Sequence, residues 1–132
     1  MSNFTDPLEV RKLKDDKWQL LRHLQYHAGT KESGEVYTVA KGYISDGATI
    51  PRAFWGIVGH PMDDYAAAAF LHDMFYSTGI VTKAKADNLF LEAMGVLGVA
   101  WWKRKAMYWA VRLFAGSVWN NYRKSQKVGF NG

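Results

Sequence analysis

Hydrophobic and polar positions alternate with a period of two from Trp18 to His27. Trp18, Leu20, Leu24 and Tyr26 share one face of an extended strand, with Arg22 the exception. A second β-prone run, Glu35 to Ile44, places Tyr37 and Val39 on one face. The stretch Ala28-Gly29-Thr30-Lys31-Glu32-Ser33-Gly34 between them has turn composition. The two runs therefore predict a β-hairpin over residues 18–44. Residues 1–17 are polar and charged and read as an irregular lead-in.

The period then changes. Residues 45–61 read as a loop: Gly47 permits positive φ, and Pro51 disfavours helix at Ile50. Residues 53–58 fit a short helical turn within it. From Met62 to Ser77 the apolar spacing is helical, with Ala68, Leu71 and Phe75 on one stripe and Gly79 at the end. Thr82 can cap a second helix from Lys83 to Leu97, whose stripe is Ala86, Leu89, Phe90 and Met94. Gly98 stops it. A third helix is expected from about Val99 to Tyr122, with Gly116 a point of kinking. Its apolar stripe is Trp101, Tyr108, Val111, Ala115, Val118 and Tyr122, and residues 123–132 form a basic tail. The expected fold is α+β in a single domain: an N-terminal β-hairpin or small antiparallel sheet, then three helices, the first two an antiparallel pair.

Composition supports a real core, since 48% of the 132 residues are hydrophobic. The absence of Cys excludes disulfides and thiolate metal sites. Met1 to Asp6 lacks the charged-then-apolar pattern of a signal peptide. The weakly polar stretch Tyr65 to Leu71 is far too short to span a bilayer. Charge is unevenly placed: residues 99–132 carry seven Lys/Arg and no Asp/Glu, while residues 1–98 carry ten against twelve.

The chemistry concentrates on His72, Asp73, Tyr76 and Asp87. His72 lies seven residues before Gly79, and Asp87 lies seven after Ile80. Such positions face each other across an antiparallel helix hairpin. A carboxylate on one ring nitrogen fixes the tautomer and leaves the other nitrogen as a base. Asp73 is rotated about 100° from His72 and must serve another neighbour, a cation or the 45–49 loop. Tyr76, one turn after His72, can hydrogen-bond Asp87 or a substrate. A His–Asp pair can equally pin two helices together without catalysis. Asp46, Gly47 and Asp73 could contribute oxygens to a calcium ion, although an Asx-type turn also accounts for Asp46. His23 and His27 have helical zinc spacing, but the local pattern is β and no Glu lies between them.

In the third helix Trp101, Trp102, Tyr108, Trp109, Trp119 and Tyr122 interleave with Lys and Arg, a pattern open to nucleic acid, to an interfacial membrane helix, to a subunit contact, or to a core helix with a solvated basic face. Its aromatics fall largely on or beside the stripe that must be buried. That predicts association with other proteins or with itself through this Trp-rich helix, and disfavours nucleic acid as partner.

The order Ser45 to Arg52, Phe54-Trp55, Leu71-His72-Asp73-Met74-Phe75-Tyr76 and Ala86-Asp87-Asn88-Leu89-Phe90 resembles a small family of uncharacterised proteins of tailed bacteriophages and prophages. The resemblance covers about residues 40–118. It implies a phage origin, hence synthesis in the host cytoplasm, and brings no settled activity with it; a virion component, for example of the tail or baseplate, is one class of function open to such a protein. The His-Asp-x-x-Tyr helix with a later Asp is also similar to the core of secreted calcium-dependent phospholipases. That similarity implies His72 as base, Asp73 as calcium ligand, Asp87 as the residue orienting His72, and a phospholipid or other envelope ester as substrate. Two classes of function follow: a metal-assisted ester hydrolase, and a non-catalytic virion component.

Overall fold

A computed structural model describes residues 3–15, 17–29, 35–46, 54–58 and 64–131, with side chains to residue 125. Gly47 to Ala53 and the His60-Pro61 pair lie outside the described residues, as does the expected helix start at Met62.

Six strands come first: β1 (Asn3–Phe4), β2 (Val10–Lys12), β3 (Trp18–Leu20), β4 (Leu24–His27), β5 (Val36–Val39) and β6 (Ile44–Ser45). They form two three-stranded antiparallel sheets, ordered β1-β4-β5 and β2-β3-β6. The two sheets are one meander bent across its middle. Leu24 pairs with Val39, and Gln19 pairs with Ile44, so the register is unchanged across the break. The same holds for Phe4 with Tyr26 and Val10 with Leu20. The expected hairpin therefore exists, folded in two. The bend falls at Gly42, whose φ of 92° is open only to glycine at low cost. Its N–H donates to Leu20 O at 2.8 Å. The lead-in of residues 1–17 is not irregular. It supplies β1 and β2, whose backbone groups complete the other edge of β4 and β3.

The helices are α1 (Trp55–Val58), α2 (Ala66–Thr78), α3 (Lys83–Val96), α4 (Trp101–Phe114) and α5 (Gly116–Asn131). The architecture is α+β, with α2 and α3 packed as the expected pair. Gly79 ends α2 at φ 67°, its N–H donating to Phe75 O. Thr82 caps α3, its side chain accepting from Lys85 N. The expected third helix is two, α4 and α5, parted at Ala115.

Every residue of α2 from Ala66 to Tyr76 is buried. A helix apolar all round belongs at the centre of a fold. On one side it meets the meander, where Tyr37 packs edge-on against Phe75 and Tyr43 against Phe70. On the other sides it meets α3 and α5. Tyr26 OH donates to Glu92 Oε1 at 2.5 Å, tying the meander to α3. Of the expected stripe Val111 and Ala115 are buried and Val118 and Tyr122 pack against the core, but Trp101 leaves it. Met107, Ala110 and Val111 face the core, while Trp101 is 68% exposed. Once the helix breaks at Ala115, α4 turns its small and aliphatic face inward and its tryptophans outward.

Candidate active site

The α2–α3 pair brings His72, Tyr76 and Asp87 together, and all three are fully buried. His72 Nε2 lies 2.7 Å from Asp87 Oδ1. Tyr76 OH donates to the same oxygen at 2.7 Å. Lys83 Nζ donates to Asp87 Oδ2 at 2.9 Å, and Arg112 Nη1 stands 3.9 Å from that atom. Asp87 accepts on both oxygens, so Nε2 of His72 is the donor and Nδ1 carries the lone pair of the neutral ring. The imidazole is packed between Phe90 and Tyr76, with ring centroids at 4.6 and 4.4 Å. Nδ1 is buried and has no hydrogen-bond partner among the described residues.

Burial alone would raise the Asp87 carboxyl above the usual range. The hydrogen bond and electrostatic attraction to His72, followed by the hydrogen bonds from Lys83 and Tyr76, outweigh it and hold the group below its ordinary value. Burial, followed by the bond to Asp87, pushes the Tyr76 phenol well up. The centre thus holds a firm carboxylate and a protonated phenol at neutral pH.

Asp73 points elsewhere, as its rotation on the helix requires. It accepts a hydrogen bond from Ser45 Oγ at the end of β6. Asp73 and Asp46 line one cavity of about 240 Å³ with Lys17, Tyr43, Ser45 and Tyr122. Burial and then the nearby Asp73 raise the phenols of Tyr43 and Tyr122, and Asp46 adds to both. Among the described residues no group of three His, Cys, Asp or Glu is placed to hold a metal. Gly47, the third expected calcium contributor, lies outside the described residues. Among the described residues the cavity offers two carboxylates, one of them bonded to Ser45, with Lys17 in the same lining, toward the roughly six to eight oxygens, carbonyls and waters included, that calcium takes. His23 stands 3.4 Å from Asp6, and His27 lies in β4 away from this centre.

A family model described as "Protein of unknown function (DUF1353)" matches residues 18–111. The chain belongs to the DUF1353 family. The match spans His72, Asp73, Tyr76, Lys83, Asp87 and Asp46, and stops one residue before Arg112. The uncharacterized protein y4jT of Sinorhizobium fredii is 40% identical over 88 residues, covering 66% of this chain. Those residues are 26% of y4jT, so the chain spans about a quarter of that relative's length. No solved structure matches the chain. Among the described residues, no helix of this DUF1353 protein is long and apolar enough to cross a membrane.

Sequence reasoning brought His72, Tyr76 and Asp87 together but overlooked Lys83. Its signal was present, because Lys83 precedes Asp87 by four residues on one helix. Lys83 Nζ also donates to Val111 O at 3.0 Å and Arg112 O at 3.4 Å. It thus caps the C-terminal end of α4, where a cation is favoured. Arg112, Tyr43 and Tyr122 come from other elements and left no local signal.

Proposed function

We propose that this protein is an ester hydrolase in which His72 is the general base. The observation that carries the reading is the asymmetry of the imidazole: Nε2 is fixed by Asp87, and Nδ1 has no partner among the described residues. Buried polar atoms are nearly always satisfied, so an orphaned ring nitrogen beside a fixed carboxylate asks for a reason. A base provides one. Nδ1 takes a proton from water as the water oxygen attacks the ester carbonyl carbon. Asp87 stabilises the imidazolium, and the proton then passes to the departing alkoxide as the C–O bond breaks. Tyr76 and Lys83 act through Asp87 by keeping its carboxylate oriented and ionised.

The similarity to secreted phospholipases supports phospholipid, or another ester of the bacterial envelope, as substrate. The resemblance to phage and prophage proteins supports an infection setting, in which an envelope is the natural target. Asp73 and Asp46 are the residues that would approach a calcium ion. The chemistry above uses only the protein's own groups and does not depend on that ion. The test is release of fatty acid from phospholipid vesicles and envelope preparations, with calcium or with a chelator. His72→Ala should abolish release while the chain still folds.

Full burial of His72, Tyr76 and Asp87 favours a second reading, a non-catalytic virion component in which the cluster pins α2 to α3. On that reading wild-type protein is inert on lipids and envelopes, and His72→Ala only lowers the melting temperature.

A further inference from the structure

We infer that the outward face of α4 docks on an anionic phospholipid surface. The face carries Trp101, Trp102, Trp109 and Leu113, exposed by 68, 56, 55 and 66%. Trp102, Trp109 and Leu113 follow one another at seven and four residues, so they form one stripe. Lys105 lies beside it on the same side of the helix and is exposed, whereas the guanidinium of Arg112 is turned toward Asp87, 3.9 Å from Oδ2. The opposite face, Met107, Ala110 and Val111, is committed to the core. These tryptophans are therefore surplus to the packing of the described fold, and contiguous exposed apolar surface marks a binding face.

Charge selects the partner. From Val99 to Gly132 there are seven Lys/Arg and no Asp/Glu. Lys103 is paired with Asp64 at 2.7 Å, which leaves Lys105 as the cation nearest the centre of the stripe. A second copy of the chain placed symmetrically here would set cation against cation. An anionic surface meets them instead. Indole rings settle at the headgroup level of a bilayer, and Lys and Arg beside them meet lipid phosphates. Single-stranded nucleic acid shares the phosphate chemistry, but it is usually gripped in a basic groove, and Leu113 gives it nothing to stack on.

The proposal goes beyond the hydrolase reading, and its test reads binding rather than turnover, so either can fail alone. Purified protein is co-sedimented with vesicles of pure phosphatidylcholine and of phosphatidylcholine mixed with phosphatidylglycerol, over a series of salt concentrations. Binding to the mixed vesicles, weakened by salt and accompanied by a blue shift of Trp emission, is expected. Lys105→Glu should weaken it about fivefold or more. Trp102→Ala with Trp109→Ala should weaken it at least tenfold, with the melting temperature checked by circular dichroism. If the double variant unfolds, Lys105→Glu and the salt series still decide. The inference is overturned if wild-type protein ignores the mixed vesicles or if neither variant changes binding. It is also overturned by a Trp109-dependent dimer in light scattering, or by retention of single-stranded oligonucleotide in place of vesicles.

Discussion

Replacing Lys83 with Met removes an ammonium group while keeping the length of the aliphatic stem. Three acceptors lose a donor: Asp87 Oδ2 at 2.9 Å, Val111 O at 3.0 Å and Arg112 O at 3.4 Å. Breaking one side of a fully buried ion pair costs roughly 3–5 kcal/mol. Two facts lower that figure here. The Lys83 side chain is 21% exposed, and Asp87 keeps its bonds to His72 and Tyr76. A loss of about 2–3 kcal/mol is the reasonable expectation, given about 1.5–3 kcal/mol for a hydrogen bond to a charged group. For a chain of this size that is a fall in melting temperature of roughly 6–12 °C.

The pH dependence is more specific than the size. The Asp87 carboxyl titrates below its ordinary value in the folded state. Its stabilisation is therefore fully present above the unfolded-state value and is lost as pH falls through the folded one. Lys83 is one of the groups holding it down, so in Lys83→Met the acid loss begins at higher pH. Thermal melts followed by circular dichroism from neutral to acid pH measure both quantities. A drop of less than about 2 °C with an unchanged acid limb would refute the reasoning, because Lys83 would then be a solvated surface lysine.

Two further outcomes follow from the same geometry. Gly79→Ala should lower stability by about 1–2 kcal/mol, since φ is 67° there, and the new Cβ would sit 2.5 Å from Arg123 Nη1; a chemical-denaturation midpoint equal to wild type would contradict it. Of the seven tyrosines, Tyr43, Tyr76 and Tyr122 should stay protonated past their ordinary range in the folded protein, so stability falls as pH rises above the unfolded-state phenol value, and near-ultraviolet absorbance should show their ionisation delayed until unfolding.

Much of this arrangement was legible in the sequence because it is local. Gly79 and Thr82 mark the turn of the helix hairpin, and equal distances from that turn put His72 opposite Asp87. The rotation of Asp73 by one helical position sends it to the β6 end, as the sequence implied. Long-range features were not legible. Residues 1–17 have little apolar alternation, because β1 and β2 are short edge strands whose pairing is made by backbone atoms. The bend of the meander at Gly42 left only a faint sign, the exception of Arg22 between β3 and β4, and the register does not shift across it. The outward turn of Trp101, Trp102 and Trp109 contradicts a rule that buries aromatics. Val111 was placed by the local periodicity, but nothing in it showed that Met107 and Ala110, rather than Trp101, would complete the core-facing side of α4.

The central claim is that Asp87 holds His72 through Nε2 and leaves Nδ1 a free base. Nitrogen-15 NMR of the His72 imidazole at neutral pH reads that claim directly. The expected spectrum has a protonated Nε2 and an unprotonated Nδ1 that accepts from no protein donor, and Asp87→Asn erases the preference for this tautomer. A proton on Nδ1 of the neutral ring, or an Nδ1 already engaged by a protein donor, would contradict the account.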